Sequence, residues 1–127
     1  MLKKIAIAFG IIFIVVGLCG FVSAVTPDGK LLGYFEVNAA HNAVHIGTGI
    51  VAVIVAFASE KAARMFFQIF GVIYALVAVL GFAMGNQPLL GIVANNAADT
   101  WLHVLIAIVA LYLGFGMKPE TAAPSTT

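Results

Sequence analysis

Two pairs of ionisable residues at helical spacing carry the chemistry open to this chain: His41 with His45, and Asp99 with His103. Asn38 and Asn96 stand three residues ahead of each pair, and Asn42 and Glu36 lie close by. An (i, i+4) pair projects from one face of a helix. Together the four groups offer three imidazoles and a carboxylate, a donor set suited to zinc, iron, copper or manganese. His45 and His103 can also approach a haem iron from opposite faces, or one of them can ligate a chlorophyll-type pigment. The same residues have a plainer use as a latch. Asp99 can accept from His41 or His45 while Asn38, Asn42 and Asn96 close helix ends, so that buried polar groups satisfy one another and fix register. The third use is proton or solute conduction by histidines that titrate near neutrality. Below Thr48, however, the second and fourth spans carry no ionisable residue until their far ends, which is poor material for a pore. No serine, cysteine or carboxylate pair forms a recognisable nucleophile or acid–base arrangement, so the expectation is a non-enzymatic protein.

The elements that must position these groups are membrane helices. The chain has 127 residues, 63% hydrophobic and 9% charged, with a formal net charge of +1 and a mean hydropathy of +1.14. A soluble domain is nearer half apolar and a quarter charged, and a chain this short cannot bury such an excess. Near-neutral charge also excludes a nucleic-acid partner, which requires a basic face. One cysteine, Cys19, excludes a disulfide framework, and no base neighbours it to activate the thiol. Spans need about 20 predominantly apolar residues. Four stretches qualify, at about 5–25, 39–58, 65–84 and 97–117, which predicts one membrane domain over 1–117 and a disordered cytoplasmic tail over 118–127. The start, Lys3-Lys4 followed by an apolar run and Val22-Ser23-Ala24, also has the outline of a signal peptide. Its apolar run is longer than a signal core, and Leu18 ahead of Cys19 does not suit a lipoprotein site, so the segment is read as a helix.

Lys3, Lys4, Lys61, Arg64 and Lys118 fall on one side of this arrangement and only Lys30 on the other. The positive-inside rule then predicts a multi-pass protein of the bacterial cytoplasmic (inner) membrane with both termini inside. Trp101, Tyr34 and Phe35 fall at the outer boundary, where interfacial aromatics belong.

The chain also repeats itself. Phe9-Gly10-Ile11-Ile12-Phe13 matches Phe70-Gly71-Val72-Ile73-Tyr74, and Gly20-Phe21 matches Gly81-Phe82, at an offset of 61. Leu31-Leu32-Gly33 matches Leu89-Leu90-Gly91, Asn38-Ala39-Ala40-His41 matches Asn96-Ala97-Ala98-Asp99, and His45 matches His103, all at an offset of 58. Two spans per copy give both copies one topology, hence a symmetry axis along the membrane normal. His41, His45, Gly49, Ala52 and Ala56 share a helix face, as do Asp99, His103, Ala107, Ala110 and Gly114. Those faces are expected to turn inward. The glycines at 10, 17, 20, 71 and 81, with Gly81–Gly85 a GxxxG, are expected as exposed surfaces for a homo-oligomer or a subunit of a larger membrane complex. If helices start after Asn38 and Asn96, His45 and His103 lie roughly 10 Å down the axis.

Asn38-x-x-His41-Asn42-x-x-His45, Asn96-x-x-Asp99-x-x-Leu102-His103, the Leu-Leu-Gly segment before each and the Phe-Gly-x-Ile-Tyr pattern of the third span together resemble a known family. It comprises small four-span bacterial membrane proteins catalogued as domain of unknown function 4383. The resemblance covers nearly the whole chain except the tail, with Thr100 standing where a second asparagine is usual. It implies an all-α integral membrane four-helix bundle and supplies no activity. The combined expectation is a structural or accessory subunit in the lipid bilayer, with His41, His45, His103 and Asp99 as latch or ligand site.

Overall fold

A computed structural model of the chain describes residues 1–120; the part of the expected tail at 121–127 lies outside the described residues. Helix α1 covers Leu2–Cys19, α2 covers Ala39–Ala58, α3 covers Glu60–Met84 and α4 covers Ala97–Leu111, prolonged by a π turn over Tyr112–Gly116. All four are long and apolar enough to cross a membrane. The protein is an all-α bundle in which α1 packs along α2 and α3 along α4. Its lipid-facing surface carries side chains such as Ile12, Ile54, Phe57, Leu76 and Ile108.

Helix α1 begins three residues early, at Leu2, and two further boundaries differ more from the apolar runs. Instead of continuing to Val25, α1 stops at Cys19, and Ser23–Val25 and Pro27–Gly29 form tight turns. The backbone freed there is satisfied by a hairpin of β1 (Lys30–Leu31) and β2 (Phe35–Glu36). Leu32 donates its amide to the Val25 carbonyl at 2.7 Å, and Val37 to that of Gly29 at 3.2 Å. At the other end α3 starts at Glu60, five residues ahead of the expected Met65. Ser59 explains this: its extended backbone breaks the chain after α2 and its Oγ caps α3 by accepting from the Ala62 amide at 2.9 Å. Glu60 in the first turn suits the positive end of the helix dipole.

A second hairpin precedes α4, where Leu89 pairs with Val93. Its loop, Leu90-Gly91-Ile92, has the same length as Leu32-Gly33-Tyr34 and the same two left-handed residues: φ is 55° at Leu32 and 53° at Leu90, 78° at Gly33 and 73° at Gly91.

The bundle interior is built from small residues and rings. On α2, Gly49, Ala52 and Ala56 are buried, and on α4, Ala107 and Ala110, with Gly114 in the turn beyond. The glycines of α1 and α3 are not free surfaces. A Cβ on Gly10 would lie 2.6 Å from the Gly49 carbonyl oxygen, one on Gly17 2.6 Å from Ile46, and one on Gly71 2.9 Å from Leu111. Gly20 faces Asn42 and Gly81 faces Thr100. Close approach of backbones inside the chain consumes these faces, so they are not the partner surface that the sequence suggested. Phe9, Phe13, Phe66, Phe67, Phe70 and Tyr74 fill the centre between α1 and α3.

Candidate functional site

The polar groups converge where α2 and α4 begin, and the caps create the site. Asn38 holds an extended backbone and its Oδ1 accepts from the His41 amide at 2.8 Å, which starts α2. Asn96 does the same for the Asp99 amide at 3.0 Å, and Asp99 Oδ2 accepts in return from the Asn96 amide at 3.0 Å, completing a capping box. Each cap leaves a side-chain amide free, and each is used across the bundle. Asn38 Nδ2 donates to the Ile92 carbonyl at 2.9 Å, and Asn96 Nδ2 to the Tyr34 carbonyl at 2.8 Å. Tyr34 and Ile92 are 58 residues apart, as Asn38 and Asn96 are, so each cap grips the tip of the other hairpin.

Glu36 links the remaining groups through its backbone. Its amide donates to Asp99 Oδ2 at 3.0 Å, and its carbonyl accepts from His41 Nδ1 at 3.0 Å. Asp99, only 2% exposed, therefore accepts from two backbone amides; its hydrogen bonds reach neither His41 nor His45, which was the expected latch. The tie between α2 and α4 runs through β2.

His41, Asn42, His45, Asp99 and His103 are all buried, whereas Asn38 is exposed and Asn96 half-buried. The His41 ring lies 5.0 Å from His45 and 6.1 Å from His103, centroid to centroid. Each deeper histidine rests on a ring from the first helix of its own half. Phe13 stacks on His45 at 4.9 Å, and Tyr74 meets His103 edge-on at 5.4 Å. The Nδ1 atoms of His45 and His103 are buried without a hydrogen-bond partner.

Two cavities flank the imidazoles. One, of about 140 Å³, is walled by Val16, Leu31, Leu32, Phe35, Asp99 and Leu102 around the three histidines. The other, of about 280 Å³, sets Val77, Leu89, Leu90, Val93 and Val44 around His41 and His103. Val77 of the second wall is Val16 of the first shifted by 61 residues, and Leu89, Leu90, Val93 and His103 are Leu31, Leu32, Phe35 and His45 shifted by 58.

Among the described residues no three His, Cys, Asp or Glu side chains are arranged to hold one metal ion. Asp99 is committed to backbone amides and His41 Nδ1 to a carbonyl, which leaves Nε2 of His41 and the rings of His45 and His103 as possible donors. The 140 Å³ cavity, which all three histidines line, lies below the usual range of about 300–1,000 Å³ for organic ligand pockets and does not by itself hold a haem or chlorophyll-type ring; the 280 Å³ cavity is lined by His41 and His103 alone of the three.

Several structural residues left no mark in the sequence. Asn95 is fully buried, and its Nδ2 donates to the Gly85 carbonyl at 2.9 Å and to Thr100 Oγ1 at 3.2 Å. Thr100 in turn donates to the Asn96 carbonyl at 3.1 Å, a bond back along the first turn of α4 rather than a cap. At the opposite end Arg64 donates to the carbonyls of Gly114 and Met117, at 3.2 and 2.8 Å, and Gln68 to that of Gly114 at 3.0 Å.

The family described as a domain of unknown function (DUF4383) matches residues 3–116. No curated protein and no solved structure matches the chain.

Proposed function

The chain belongs to that family, whose description assigns no activity, and from the geometry we propose a non-enzymatic accessory component of a membrane assembly, made of two parallel two-helix repeats clamped at one end. The observation that carries this reading is the crossed pair of asparagine bonds, Asn38 to Ile92 and Asn96 to Tyr34. Polar groups spent on holding one half to the other, with no nucleophile or acid–base pair among them, suit a scaffold rather than a reaction. In this reading the clamp lies on the extracytoplasmic side of the bacterial inner membrane, and both termini lie in the cytoplasm.

The surface for a partner, or for a second copy, is the pair of hairpin tips. Leu32 is 63% exposed, Tyr34 71%, Leu90 77% and Ile92 64%. A branched side chain in the left-handed region costs roughly 1–2 kcal/mol, yet Leu32 and Leu90 both adopt it. Leucine at these positions therefore supports use of its apolar side chain, since asparagine or glycine would relax the backbone.

Replacing both by asparagine separates assembly from folding. The protein extracted from its native membrane in mild detergent is expected to run as a particle larger than one 13.3 kDa chain. The Leu32→Asn/Leu90→Asn variant is expected to run as a single chain with unchanged or higher thermal stability. A strictly monomeric unaltered protein, with nothing bound, overturns the proposal.

A further inference from the structure

The 280 Å³ cavity beside His41 and His103 is not closed. It continues along α2 and α3 into a groove of about 580 Å³, the two parts sharing Val44, Thr48, Phe70 and Ile73. Beyond these the groove is walled by Val51, Val55, Ala62, Met65, Phe66 and Ile69. From Val44 to Val55 it follows about 16 Å of helix rise, roughly half the hydrocarbon thickness of a bilayer. An apolar channel of that length, open on the lipid side and ending on imidazoles, has the shape of a site for an amphiphile.

The imidazoles say which head group. A carbonyl oxygen only accepts, so the 3.0 Å contact of His41 Nδ1 with the Glu36 carbonyl places the ring proton on Nδ1. In the neutral ring Nε2 is then left as an acceptor. His103 has a buried Nδ1 with no partner. A neutral imidazole has one donor and one acceptor nitrogen, so the pair asks for a group that donates and accepts at once. A hydroxyl does both; a carbonyl can only accept and leaves His41 Nε2 unpaired. No lysine, arginine or carboxylate lines the groove or the cavity at its end. Phosphate, choline and carboxylate heads would be buried there without a counter-charge, at a cost of several kcal/mol.

We propose that this groove binds a neutral long-chain alcohol of the bilayer, its hydroxyl held between His41 and His103 and its chain along α2 and α3. The proposal rests neither on the clamp nor on a partner at the hairpin tips, although Leu90 of the second tip also lines this cavity.

The test uses the full chain in vesicles and a long-chain alcohol carrying a photoreactive diazirine, with cross-linked peptides read by mass spectrometry. Cross-links are expected on α2 and α3 along the groove. Unlabelled alcohol should compete about tenfold better than its methyl ether, the worth of one hydrogen bond. His41→Leu, which removes the acceptor that a hydroxyl can pair and an ether cannot, should abolish that preference. Val51→Trp, at an exposed groove position, should reduce groove cross-links at least fivefold while helix content and melting are kept, so a folding failure of the histidine variant does not decide the matter. Three results overturn the proposal: cross-links spread evenly over the outer faces of all four helices, equal competition by alcohol and ether, or groove cross-links unchanged in Val51→Trp. The last two would mean ordinary lipid contact, with water on the imidazoles.

Discussion

Asn38 and Asn96 each perform two tasks with one side chain: Oδ1 caps the helix that follows, and Nδ2 holds the hairpin tip of the opposite half. The two tasks are separable by substitution. Asn38→Ala loses both, whereas Asn38→Asp keeps a good cap and loses only the donor. Alanine is expected to cost about 1–3 kcal/mol, a cap of 0.5–2 together with a hydrogen bond of about 1, and aspartate about half as much. The same ratio is expected at Asn96. Unfolding in mixed micelles under a denaturing detergent measures both. Equal losses for Ala and Asp would mean that the cross-bundle bond contributes everything, and no loss for Asp that it contributes nothing.

Asp99 distinguishes a structural carboxylate from a chemical one. Its Oδ2 accepts from the amides of Glu36 and Asn96, and an amide oxygen of the same shape can do likewise. Asp99→Asn should therefore fold and assemble nearly as the unaltered protein does. Asp99→Ala leaves two amides without a partner and is expected to destabilise by about 2–4 kcal/mol. A protein in which Asn is as damaging as Ala would need the charge itself, and the structural role of Asp99 would give way to one in which it carries a charge for chemistry.

What the sequence disclosed and what it hid divide on physical lines. The inward face of α2, with His41, His45, Gly49, Ala52 and Ala56, is buried as its spacing implies, because helical periodicity and small size are local properties. So is the face of α4 with Asp99, His103, Ala107 and Ala110. The asparagine caps were legible for the same reason. The joint at Glu36 was not, since its amide and carbonyl are groups that every non-proline residue carries. Nor were Arg64 and Gln68, whose partners near Gly114 lie about fifty residues away. The glycines of α1 and α3 read from the sequence as close-packing surfaces, but spacing alone does not say which helix comes near, and the helix is one of the same chain.

That correction is itself open to measurement. A Cβ on Gly10 would meet the Gly49 carbonyl oxygen at 2.6 Å, and neither backbone can turn aside. Gly10→Ala should push α1 away from α2 and cost about 1–3 kcal/mol, the range for overpacking. At Gly47 nothing lies within 4 Å, and alanine there should be neutral or stabilising by up to about 1 kcal/mol through helix propensity. Because the contact lies within one chain, the loss in Gly10→Ala should be independent of protein concentration. A loss that grows on dilution would return these glycines to an interface between chains.

Orientation is the last prediction, and it follows from charge rather than packing. Lys3, Lys4, Lys61, Arg64 and Lys118 mark one side and Lys30 the other, and the bias of basic residues toward the cytoplasm sets topology. With Cys19 replaced by serine, single cysteines at Asp28, Gln87, Lys61 and Lys118 can be probed in intact cells with a membrane-impermeant maleimide. Asp28→Cys and Gln87→Cys, in the turns on the hairpin side, should label. Lys61→Cys and Lys118→Cys should label only after the membrane is opened. The reverse pattern would place the clamp, the histidines and both hairpin tips in the cytoplasm, and a partner would then have to be sought there. Mixed labelling at all four positions would mean dual insertion, which a five-to-one charge bias argues against. The result fixes which compartment can deliver a partner to Leu32 and Leu90, and so decides where the assembly experiment must be read.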